Sequence, residues 1–110
     1  MLNIVMSRAA SGLLRALLDR AGDQRDRILL SEVQSVDWQS LTLAGERHEI
    51  QLRIPGPGAE LFLGKFLDGI EEAEFLIPGQ ILADIAVAGF PVRALDGSVT
   101  LAIEALTVVE

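Results

Sequence analysis

The segment Phe90–Val109, FPVRALDGSVTLAIEALTVV, constrains the fold more than any other stretch. Asp-Gly is the pair a type I′ hairpin turn selects, because both central residues of that turn need positive φ. Beyond Asp96-Gly97, Val99, Leu101 and Ile103 alternate with Thr100, Ala102 and Glu104. A period of two with one apolar side is the mark of a strand buried on one face. A second hairpin is expected in SLTLAGERHEIQLRI, residues 40–54. There Leu41 and Leu43 lead to a turn near Ala44-Gly45-Glu46, and Ile50, Leu52 and Ile54 alternate with Glu49, Gln51 and Arg53. Two further segments read as strands: ILLSEVQSVDW (28–38) and ILADIAVAG (81–89), the latter apolar on both faces except at Asp84.

Helical periodicity appears twice. Ala10, Leu13, Leu14, Leu17, Leu18 and Ala21 follow the i, i+3, i+4, i+7 spacing of an amphipathic helix between Ser7 and Ala21, with Gly22 placed to end it. This basic, Leu-rich face carries only three Arg and no aromatic anchor, so packing on the core is favoured over a membrane surface. After PGPG at 55–58, Ala59, Leu63, Phe66, Leu67 and Ile70 share a face, with Pro57 expected in the first turn. The predicted class is α+β: a mostly antiparallel sheet of five to seven strands with two helices on one face, in the order α-β-β(-β)-α-β-β-β. A helix between hairpins also allows one parallel pairing, and the last strand is expected to carry the C-terminus into the sheet. At 110 residues the chain has room for one domain, 1–110. The halves 6–54 and 57–109 share this coarse plan, which suggests a pseudo-repeat, although only "LAG" and "VAG" match between them.

Composition narrows the chemistry. The chain has no Cys and a single His, which excludes disulfides, thiolate catalysis and His- or Cys-based metal clusters. The lack of Cys fits a reducing compartment. The apolar N-terminal start of about five residues lacks the shape of a secretory signal, and no apolar run approaches the ~18 residues of a membrane span. A cytoplasmic location, in a bacterial cell, is therefore expected. Net charge is −7, which speaks against nonspecific nucleic-acid binding. The imbalance lies in residues 54–110, where Lys65 and Arg93 face nine acids. A solvated acidic surface accounts for this, and a basic protein partner is the functional alternative.

Gly56–Phe66, GPGAELFLGKF, superficially suggests a phosphate loop. Such a loop needs four residues between its first Gly and the Gly-Lys pair, then Ser or Thr. Here five residues separate Gly58 from Gly64, and Phe66 follows Lys65. The segment is read as a turn and a core helix, within which Gly64 suggests a close approach of another element. Glu71, Glu72 and Glu74 form the densest acidic cluster, with no calcium-loop spacing, so no metal site is expected. At a helix C-terminus they would oppose the dipole, which points to a partner or an early helix end.

His48, Asp84, Arg93 and Glu104 are the candidate ligand-binding residues. His48 shares the face of Ile50 and Leu52 and is the one side chain suited to general base work near neutrality. It has no nucleophile tied to it in sequence. Asp84 inside an apolar strand must be paired, protonated or solvent-facing. Arg93 is its expected partner, and Glu104 would complete a polar network if the three share a face. Trp38, the single Trp, fits a core margin or an interface. The favoured function is a small non-enzymatic interaction or accessory protein acting as a homodimer, because two helices cover only one face of such a sheet. The alternative is a small-ligand-binding protein or enzyme with a polar pocket between sheet and helices. No cofactor is expected in either case.

Overall fold

The computed structural model describes residues 5–110; Met1–Ile4 of the apolar N-terminal start lie outside them. The order is α1 (Arg8–Ala21), β1 (Leu29–Gln39), β2 (Ala44–Ile54), α2 (Ala59–Leu67), β3 (Gln80–Arg93) and β4 (Val99–Val109). The four strands form one sheet in the order β1-β2-β4-β3, antiparallel throughout. The α+β class and the antiparallel sheet agree with the expectation from periodicity, and β4 carries the chain nearly to its end. Among the described residues the sheet has four strands and not five to seven, and no parallel pair forms.

The difference in strand number has a local cause. Segments that read as separate strands are joined through irregularities. In β3, Gly89, Phe90 and Pro91 stand between the pairs Ala88↔Ala102 and Val92↔Thr100, so a single 14-residue strand passes through a bulge. Pro91 tolerates this because an edge-strand bulge needs no ladder donor there. Leu41 is fully exposed in the loop between β1 and β2, and Leu43 is exposed beside it. The turn lies at Ser40–Leu43, closed by Ser40 N–H to the Leu43 carbonyl at 2.8 Å, and Ala44-Gly45-Glu46 belong to β2. Residues 73–79 add only an isolated bridge, Ile77↔Gln80.

Alternation in β2 and β4 decides where the core sits. Ile50, Leu52 and Ile54 lie opposite Ile103, Leu101 and Val99, and all six are buried. They form one apolar cluster with Leu13 and Leu17 of α1 and Phe62, Leu63 and Phe66 of α2. Both helices therefore cover one face. Ser7 caps α1 by accepting a hydrogen bond from Ala10 N–H (3.1 Å), and Gly22 ends it at φ 61°. Gly12 faces Ile77 so closely that an added Cβ would lie 2.8 Å from its Cγ2, so this glycine marks a tight contact that the helical pattern alone put on the open side.

Around α2 the details depart from expectation. Gly58, in the left-handed region at φ 81°, is the N-cap, which places Pro57 before the helix and not in its first turn. The helix ends at Leu67, and Ile70–Glu72 form a separate 3-10 turn after Gly69. Glu71 and Glu72 thus sit at the start of a new turn, where acids are favourable, rather than at the C-terminus of α2. That C-terminus is served by Arg20 of α1, whose Nε donates to the Phe66 carbonyl (2.7 Å) and whose Nη2 donates to that of Asp68. Gly64 has nothing within 4 Å of where a Cβ would stand, so no element approaches it.

The β3–β4 hairpin also closes differently from a type I′ turn. Gly97 has φ 85°, but Asp96 does not adopt positive φ. Gly97 N–H donates to the Ala94 carbonyl (3.1 Å) and Ala94 N–H to that of Ser98 (2.8 Å). This is the three-residue loop in which a left-handed Gly follows a type I turn. The Asp96 carboxylate accepts from the backbone and hydroxyl of Ser98 at 2.9 and 2.6 Å, and from Arg53 at 2.9 Å. The Ser98 bonds, with Arg53 adding to them, hold its pKa below the ordinary carboxylate value.

Candidate functional site

The polar residues singled out in the sequence fall into three places. His48 lies on the helix-covered face, buried at 3% exposure beside Ala105 and Ser35 in the neighbouring strands. Asp84 pairs with Leu106, and Glu104 lies between Glu49 and Ala86, both on the opposite, open face. Arg93 pairs with Val99 on the helix side and forms an ion pair with Glu60 of α2. Arg93 is nine residues from Asp84, so simple alternation already puts the two on opposite faces, and the bulge at residues 89–91 keeps that parity because four steps along β3 match two along β4. The structure does not bring the four together.

His48 has partners that its local sequence did not reveal. Its Nδ1 is 2.7 Å from Ser35 Oγ and its Nε2 is 2.8 Å from Thr107 Oγ1. A polar line therefore crosses β1, β2 and β4 inside an otherwise apolar layer. A hydroxyl both donates and accepts, so a neutral imidazole is fully satisfied whichever nitrogen carries the proton. Among the described residues, no buried side-chain polar atom lacks a partner. Burial pulls the His48 pKa below its ordinary value, with Glu46 opposing weakly. A Ser–His contact at this distance resembles a nucleophile and its base. In this line, however, the second nitrogen meets a buried Thr hydroxyl and not an orienting carboxylate. The arrangement suits register and packing of the central strands.

The open face of the sheet has a different character. Arg53, Gln51, Glu49 and Arg47 run along β2, and Thr100, Ala102, Glu104 and Leu106 run beside them along β4. Toward one end the face is apolar: Val36 is 60% exposed and Ile81 52%, with Trp38 and Leu106 half-buried on the same face. Gly45 lies in this corner between Trp38 and Val108, and a Cβ there would collide with the Thr107 carbonyl oxygen. At the centre Glu49 stands directly opposite Glu104. Like charges in that position destabilise a pair of strands. Neither acid has an ion-pair partner among the described residues, and nor does Arg47. A groove of about 250 Å³ runs over Gln34, Val36, Arg47, Glu49 and Glu104.

No group of three or more potential metal-ligating side chains occurs among the described residues, and none of their helices is long and apolar enough to cross a membrane. Comparison with known proteins finds no matching family model, curated protein or solved structure.

Proposed function

We propose that this is a small non-enzymatic interaction protein of the cytoplasm that acts as a homodimer, two copies packing open sheet face against open sheet face. The observation that supports this reading is the face itself. Both helices lie on one side, while Val36, Trp38, Ile81 and Leu106 are left on the other, where no described element covers them. Monomeric proteins seldom leave apolar residues clustered in this way.

Size and charge fit a second copy. Four strands about 4.8 Å apart and 11 residues long present roughly 700 Å² of flat area, near the ~800 Å² per partner of a standard interface. The face carries both signs, Arg47 and Arg53 with Glu49 and Glu104. A two-fold axis through it would bring the cations of one copy to the unpaired acids of the other.

Light scattering at tens of micromolar protein tests the reading. The expected mass is twice 11.8 kDa, falling to the single-chain value in Val36→Glu and Ile81→Glu. Both side chains are more than half exposed in the single chain, so circular dichroism should stay unchanged. A single-chain mass for the unaltered protein at that concentration contradicts the proposal.

A further inference from the structure

A cavity of about 300 Å³ opens where the end of α1 and the 3-10 turn Gly22–Arg27 meet α2. Three cations line it, Arg20, Arg27 and Lys65, and none of its lining residues is acidic. This is unusual in a chain with nine Lys and Arg against 16 acids. The ion pairs among the described residues use Arg25, Arg53 and Arg93 only, so the three cations of the cavity have no carboxylate partner.

The two guanidinium groups are already held in place. Arg20 is bonded to the Phe66 and Asp68 carbonyls, and Arg27 Nη2 donates to the Pro57 carbonyl at 2.7 Å. Arg27 also lies over the Phe62 ring, 5.2 Å from its centre. A guanidinium has five N–H donors. These contacts use two on Arg20 and one on Arg27, leaving donors on fixed groups. Preorganised donors lose little freedom when a ligand binds, which favours affinity. Apart from Gln24 and Gly58, the rest of the lining is apolar: Phe62 and Phe66 stack with centroids 5.8 Å apart, and Leu61 is 70% exposed at the rim.

From this arrangement we infer a binding site for a small organic anion, a phosphate monoester whose head group meets Arg20, Arg27 and Lys65 and whose apolar or aromatic body lies on Leu61 and Phe62. Bidentate guanidinium contacts match phosphate oxygens in geometry as well as charge. The volume is at the lower end of small-molecule sites, which favours a compact ligand over a polymer. The site lies on the helix side and is independent of the open sheet face.

Phenyl phosphate is the probe. Titration of the full chain, followed by calorimetry and by amide chemical shifts, should show one saturable site. Shifts should centre on Arg27, Leu61 and Lys65. Lys65→Glu, an exposed position with no structural bond, should weaken binding at least tenfold. Arg27→Gln, which keeps a donor for the Pro57 carbonyl, should weaken it severalfold. Inorganic phosphate should bind more weakly than phenyl phosphate. The inference is overturned by the lack of saturation at low millimolar probe, by unchanged affinity in Lys65→Glu, or by equal binding of inorganic phosphate. Lys65-dependent capture by phosphatidylglycerol vesicles without phenyl phosphate binding would also overturn it, assigning the cluster to a membrane surface.

Discussion

His48 shows how one residue ties stability to pH. In the unfolded chain its imidazole takes up a proton near pH 6.5, whereas burial in the fold resists that charge. The unfolded state therefore binds more protons in this window, and stability rises with pH through it. The contribution is complete above pH 6.5 and is lost as pH falls toward the lowered folded-state value. Urea midpoints should decrease between pH 7.5 and 5 in the natural protein and decrease less in His48→Gln. Equal slopes would mean that His48 does not couple to folding. Gly64 makes the opposite kind of prediction. It sits inside α2, exposed, with open space where a Cβ would be. Replacing it with Ala should raise stability by about 0.5–1 kcal/mol in denaturant unfolding, the usual helix-interior difference.

At the scale of elements, α2 depends on another helix to finish it. A nine-residue helix is marginal by itself, and its last carbonyls are met by Arg20 from α1. Arg20→Ala should cost about 1.5–3 kcal/mol, the range for hydrogen bonds to a charged group. It should also speed amide exchange in α2 and Ile70–Glu72 more than in the body of α1. Arg20→Lys should recover only part, since one ammonium cannot span two carbonyls as the fork does. Both helices and the strands β2 and β4 were legible from apolar spacing, because those elements keep one period throughout. Strand number was not, since the bulge between Ala88 and Val92 makes one strand look like two, and Leu41 and Leu43, which read as strand, lie in the loop before β2. The partners of His48 were hidden for a related reason. Ser35 and Thr107 meet it only through register across three strands, and no local pattern carries register. Arg93 differs: its odd spacing from Asp84 already places the two on opposite faces, and its partner is Glu60 of α2.

Across the whole molecule the helix order α-β-β-α-β-β puts both helices on the same side of the sheet and leaves one sheet face bare. The buried face is apolar except for the Ser35–His48–Thr107 line, and among the described residues its buried polar side chains are all satisfied. The open one holds an apolar corner around Trp38 and an unpaired Glu49–Glu104 neighbourhood. The central claim is that this open face is where a second copy sits, and Trp38 reports on it directly because it is the single Trp in the chain. Its emission should be followed while the protein is diluted from about 100 μM to well below 1 μM. The account predicts a red shift with a sigmoidal dependence on concentration as the indole passes from the interface to water. The shift should be complete at all concentrations in Val36→Glu. An emission maximum that stays constant over the whole range, and identical in Val36→Glu, would contradict it.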